Sequence, residues 1–134
     1  MSVVLDTNTV ASGLLWDNQP RAIIEAAIEE RIKLFTCTGL IEELEAILPR
    51  AKFSQRLAEK QLSIPLLIER YSALADIIEP AILSGPVSPD PDDDLALATA
   101  LAAQAELIVS RDKPLRNLKH FHALDGRSRA FASD

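Results

Sequence analysis

Two aliphatic runs, Val3-Val4-Leu5 and Leu107-Ile108-Val109, stop abruptly and are followed by a carboxylate, Asp6 in the first case and Asp112 in the second. Short runs of this kind, apolar on both sides of the backbone, suit strands buried on both faces, which is the condition of a parallel sheet. The segments between them carry helical periodicity, and strands alternating with helices imply an α/β domain whose parallel sheet is covered on both faces. In an open sheet of that kind, ligands gather beyond the carboxyl ends of the strands. Chemistry is therefore expected where the aliphatic runs end.

Residues 2–6 read as a buried strand, with Thr7 or Asn8 starting the helix that follows. Pro20 suits the first position of a second helix over 20–31, with Ile23, Ile24, Ala27 and Ile28 on one face. Residues 33–37 form a second short strand, and Thr38 is placed to cap a third helix over 39–48. Residues 54–75 are helical, with Pro65 restarting the helix after a break, and 77–78 form a brief strand. The stretch 84–89, rich in Ser, Gly and Pro, is a loop that delivers the chain to Asp90 and Pro91, cap and first residue of a helix reaching Gln104. A strand over 106–110 follows, then a short helix over 115–118, a last strand near Ala123 and an irregular tail. At 134 residues the whole chain, 1–134, is expected to be one domain.

Hydrophobic residues make up 48% of the chain and charged residues 25%, the balance of an ordinary soluble domain. With 4% aromatic residues, the chain is poorly equipped to bind nucleic acid by base stacking. The net charge of −6 is unevenly spread: residues 111–134 carry six Lys/Arg and three Asp, which leaves −9 for residues 1–110. Bound cations would offset several of those negative charges, and the basic strip of Arg111, Lys113, Arg116 and Lys119 can hold phosphates. For each basic residue singly, a solvated surface position is the plainer explanation. Cys37 is the one cysteine, so no intrachain disulfide can form; it reads as a buried thiol in a reducing, cytoplasmic setting. Asp6 comes too early for a signal-peptide apolar region, and no uncharged apolar run reaches the roughly 18 residues of a membrane span.

Acidic residues recur at four separated places. Asp6 ends the first strand, where burying an unpaired carboxylate costs several kcal/mol unless something compensates it. It can also serve simply as a helix cap, and Asn8 is placed to hold its orientation. The third helix offers Glu42, Glu43 and Glu45 against an apolar stripe of Leu40, Ile41, Leu44, Ile47 and Leu48. Periodicity turns Glu42 to solvent and leaves Glu43 and Glu45 on the two borders, both eligible. The run Asp90-Pro91-Asp92-Asp93-Asp94 opens a helix, where acids favour the positive end of the dipole by about 0.3–1 kcal/mol each. With Leu97, Ala98, Leu101 and Ala105 as the apolar face, Asp92 points to solvent and Asp93 and Asp94 inward, one of them the third acid. The Gly and Glu spacing of an EF-hand is absent. Asp112 follows the last strand, with the hydroxyl of Ser110 placed to position a water or another carboxylate.

Four carboxylates gathered at one end of a sheet repel one another unless a cation sits between them. Oxygen donors of this type suit a hard divalent ion, Mg²⁺ or Mn²⁺, and so point to metal-dependent phosphodiester chemistry.

In this order and spacing, the blocks Val3-Val4-Leu5-Asp6-Thr7-Asn8, Leu40-Ile41-Glu42-Glu43-Leu44 with Arg50-Ala51-Lys52-Phe53, Asp90-Pro91-Asp92-Asp93 with Ala98-Thr99-Ala100, and Leu107-Ile108-Val109-Ser110-Arg111-Asp112 resemble the PIN-domain family, in particular its VapC-type toxin nucleases. The resemblance covers nearly the whole chain. It favours Glu43 over Glu45 and Asp93 over Asp94. Two departures are Thr9, where a bulkier aliphatic residue is more usual, and the extra acids Asp92 and Asp94. The resemblance implies a Rossmann-like three-layer α/β/α sandwich and Mg²⁺- or Mn²⁺-dependent cleavage of RNA by Asp6, Glu43, Asp93 and Asp112. It also implies a toxin role in a type II toxin–antitoxin system, with homodimers and inhibition by a cognate antitoxin protein.

Two other readings are available. A receiver-like phosphoacceptor domain also gathers acids at strand ends, but needs an acidic pair at the first strand and a Lys after the last; here Asp6 stands alone and Lys113 is a weak stand-in. A catalytically silent PIN-type RNA-binding module would not require all four acids. His120 and His122 lie in the basic tail and are not assigned to the chemistry, and no Ser/His/Asp triad or Gly-rich phosphate loop is evident.

Overall fold

The computed structural model describes residues 1–83 and 91–110, with the side chains of 91–93 outside the description. Four parallel strands, β1 (Ser2–Leu5), β2 (Lys33–Thr36), β3 (Asp76–Ile77) and β4 (Leu107–Val109), form one sheet in the order β3-β2-β1-β4. Six helices flank it: α1 (Thr7–Leu15), α2 (Gln19–Ile28), α3 (Thr38–Ile47), α4 (Ala51–Lys60), α5 (Ile64–Leu74) and α6 (Pro91–Ala103). This is the expected α/β sandwich with a central parallel sheet. The strand run expected near Ala123 and the helix over 115–118 lie outside the described residues.

The strand order places the site. From β1 the chain builds outward to β2 and β3, then returns past them to lay β4 on the other side of β1. Right-handed crossovers therefore put α6 on the face opposite the earlier helices, and the order of strands reverses between β1 and β4. The register pairs Val3 with Leu34 and with Leu107, and Leu5 with Val109, so β1 is sandwiched along its length. Val3, Val4 and Leu5 are all buried, which is why this run is unbroken by polar residues.

Several boundaries differ from the expectation for identifiable reasons. The first strand stops at Leu5, because Asp6 turns out of the sheet to cap α1. Cys37, not Thr38, occupies the cap position of α3 and makes no side-chain cap bond. The first of the two helices in the 54–75 stretch begins earlier, at Ala51, and ends at Gln61, in the left-handed conformation at φ 56°. As expected, Pro65 restarts the helix after that break: it sits in the first turn of α5, which Ser63 caps through the Leu66 N–H. In α2, capped by Asn18, Ile24, Ala26 and Ala27 are buried, whereas Ile28 at the end is 61% exposed and does not join the core face.

Packing near the site is close. In α6, Ala96, Thr99 and Ala100 are buried, and the helix lies on β1, β2 and β4; small side chains allow that approach. The Thr99 hydroxyl lies 2.8 Å from the Leu95 carbonyl and 3.3 Å from Cys37 Sγ, tying α6 to the end of β2. At the far end of α1, Arg56 donates to the Leu15 carbonyl at 2.9 Å while its guanidinium lies over the Trp16 ring, so α4 satisfies an acceptor that a helix end leaves open.

Candidate active site

Asp6 stands at the carboxyl end of β1, where the sheet order reverses. Its backbone N–H still donates to the Val109 carbonyl at 3.1 Å, extending the pairing with β4 by one step. Its side chain then turns toward α1. Oδ1 accepts the Thr9 N–H at 2.8 Å, a helix cap worth about 0.5–2 kcal/mol. Oδ2 accepts the Ser110 hydroxyl at 2.7 Å. The carboxylate thus caps α1 and holds the end of β4 at once, one oxygen assigned to each neighbour.

Asp6 is only 9% exposed and enters no ion pair among the described residues. Two neutral donors do not balance a buried negative charge, so its environment suits a bound cation. The position expected for Asn8, holding this carboxylate, belongs in the structure to the Thr9 backbone and Ser110. Asn8 is the second residue of α1, whereas the cap bond goes to the N–H of the third.

Glu43 comes from the middle of α3 and is half-buried, while Glu42 and Glu45 are exposed. Its Oε1 accepts the hydroxyl of Thr7 at 2.8 Å, and Thr7 is itself only 7% exposed. Of the two border positions that periodicity left open, Glu43 faces the β1–α1 junction while Glu45 is exposed. Thr7, adjacent to Asp6, is a residue that the sequence reading used only as a helix start. The signal available was a hydroxyl directly after a strand-end acid.

The first turn of α6 approaches the same end of the molecule. Leu95 packs so closely on Gly39, at the start of α3, that a methyl group there would meet its Cδ2 at 2.8 Å. Asp94, the residue before Leu95, is half-buried. Asp93 has its backbone in α6 but its side chain is outside the description, and Asp112, Arg111, Lys113, Arg116, Lys119, His120 and His122 lie outside the described residues. Among the described residues no group of three or more His, Cys, Asp or Glu side chains is arranged to hold a metal. Of the four expected acids, two have described side chains, Asp6 and Glu43, each held by a hydroxyl from a different segment. As hard oxygen donors they fit a divalent ion of the Mg²⁺ class.

A family model described as "PIN domain" matches residues 2–114. No match is found among curated proteins or among solved structures.

Proposed function

The chain belongs to the PIN-domain family, a family of nucleases, and from that premise we propose that it is a Mg²⁺- or Mn²⁺-dependent endoribonuclease acting as the toxin of a type II toxin–antitoxin pair. The observation that carries the reading is the Asp6 carboxylate, buried without a cationic partner among the described residues, at the point where the strand order reverses.

In this reading Asp6, Glu43, Asp93 and Asp112 hold one or two divalent ions, directly or through water, with Asp94 as the rival third acid. When bound, the ion supplies Lewis-acid activation of water and neutralises charge on the phosphodiester. The chain's own part is placement. Ser110 and the Thr9 N–H fix the two oxygens of Asp6, and the Thr7 hydroxyl fixes Glu43. Ligands locked in this way spend no energy on reorientation when substrate arrives. Arg111, Lys113 and Arg116 follow β4 directly in sequence and would neutralise RNA phosphates beside the cut. The same reading makes the protein a single-domain cytoplasmic homodimer restrained by a cognate antitoxin; no helix of the described residues is long and apolar enough to cross a membrane.

The receiver-like alternative needs a second acid beside Asp6, and the adjoining residues are Leu5 and Thr7. The test is cleavage of a labelled RNA in Mn²⁺ and in Mg²⁺, against EDTA and against Asp6→Asn. Asn keeps the cap acceptor and offers Ser110 an N–H, so the fold should persist. Cutting that needs the ion and falls to the EDTA level in the variant supports the assignment. Cutting that survives EDTA, or an Asp6→Asn protein as active as the parent, rejects it.

A further inference from the structure

A second concavity lies at the other end of α1. It has a volume of about 630 Å³ and is lined by Leu14 of α1, by Arg21, Ile24 and Ile28 of α2, by Lys60 and Leu62 around the α4–α5 turn, and by residues of α5 that include Leu67, Arg70 and Leu74. That volume is in the range of small-molecule sites. Leu14 is eight residues beyond Asp6, about 12 Å along the helix at 1.5 Å per residue, and no lining residue belongs to the acidic site.

Its chemistry is one-sided. The walls are mostly aliphatic, with the buried Tyr71 among them, and the charged lining residues, Arg21, Lys60 and Arg70, are all basic in a chain of net charge −6. Arg21 is engaged with Glu25 and with the Gly13 and Leu14 carbonyls at 3.4 Å. Lys60 and Arg70 are exposed and enter no ion pair among the described residues. Ile28, 61% exposed, extends the apolar wall to the rim. An occupant complementary to this surface has an extended apolar body and one anionic end.

We propose that this pocket binds a medium-chain fatty carboxylate, its alkyl chain along Ile24, Ile28, Leu67 and Leu74 and its carboxylate at the Lys60–Arg70 rim. A neutral chain of the same length forfeits the rim, and an inorganic anion forfeits the walls.

The test is calorimetric titration of the full chain with sodium decanoate below its micelle concentration, with decanol as the uncharged counterpart. The expected result is one saturable decanoate site, with decanol at least tenfold weaker. Lys60→Glu with Arg70→Glu should weaken decanoate at least tenfold, and Ile28→Asp should do the same; all three positions are exposed, so the fold is retained. Arg31→Glu with Lys52→Glu makes the same change of net charge at two exposed residues that do not line the pocket and should leave affinity within twofold. Absence of saturable binding, equal binding of decanol, or equal loss in the Arg31/Lys52 control overturns the proposal. So does sedimentation showing a dimer that Lys60→Glu with Arg70→Glu dissociates, because a second copy would then be the occupant.

Discussion

Ser110 donates its hydroxyl proton to Oδ2 of Asp6 across 2.7 Å, although 104 positions of sequence separate the two residues. The bond joins the ends of β1 and β4 and makes the residue just after the last described strand responsible for the orientation of the first acid. A role of this kind is measurable apart from stability.

Ser110→Ala should lower kcat for RNA cleavage by about 10–100-fold, the usual cost of losing a partner that orients a ligand, with KM for RNA changed less than about threefold. Ser110→Thr, which restores the hydroxyl, should recover most of the rate. Initial rates over a range of RNA concentrations check this. Equal rates for the Ala variant and the parent would remove Ser110 from the site.

Thr7→Val removes the hydroxyl that holds Glu43 while keeping the branched shape. The Mn²⁺ concentration giving half-maximal activity should rise by about tenfold, since a freely turning carboxylate is a poorer ligand. The rate at saturating metal should recover in large part. A metal titration of activity reads both quantities, and a variant with unshifted metal dependence would show that the Thr7–Glu43 bond serves packing alone.

Thr9 is fully buried, and its Oγ1 has no hydrogen-bond partner among the described residues; Tyr71, 2% exposed, has a hydroxyl in the same condition, and burial pushes its ionisation upward so that it stays a neutral phenol. Unsatisfied buried hydroxyls cost about 1–3 kcal/mol each. Thr9→Val and Tyr71→Phe should each raise the unfolding free energy by about 1 kcal/mol, a few degrees in Tm. The Thr9 N–H to Asp6 bond survives substitution of the side chain, so nuclease activity should stay within about twofold. Thermal and urea unfolding decide the point.

Gly13→Ala and Gly39→Ala separate two kinds of crowding. A methyl at Gly13 would lie 2.9 Å from the Pro20 carbonyl carbon and 3.1 Å from the Arg21 nitrogen, both backbone, as well as 2.8 Å from Ile24 Cδ1. Helix α2 must then shift bodily, and a loss of about 2–3 kcal/mol is expected. At Gly39 the obstacle is the tip of Leu95, which can turn away, so the loss should be about 1 kcal/mol or less. Urea denaturation of both variants would contradict this if the order came out reversed.

Much of the fold was legible in the sequence because burial on both faces leaves a plain mark. Val3-Val4-Leu5 and Leu107-Ile108-Val109 hold no polar residue, and they are the strands that meet at the site. What escaped was set by three-dimensional neighbours. Nothing local announces that Gln61, an ordinary residue, takes the left-handed conformation that ends α4. Ile28 continues an apolar periodicity yet stands outside the core, because α2 ends there and it is left 61% exposed among the described residues. Glu43 and Glu45 are equivalent by helical period, and the distinction is made by a threonine 36 positions earlier in the chain.

The strand order has a consequence for when the surroundings of Asp6 take shape as the chain is made. Strand β1 is made before the other three described strands, but one of its two sheet neighbours is β4, so a growing chain that stops short of residue 107 leaves that edge bare. Until then Asp6 lacks both the backbone acceptor at Val109 and the hydroxyl of Ser110. A long-range closure of this kind comes late in assembly. Order of translation thus withholds both of these partners from Asp6 until the last of the four strands has emerged.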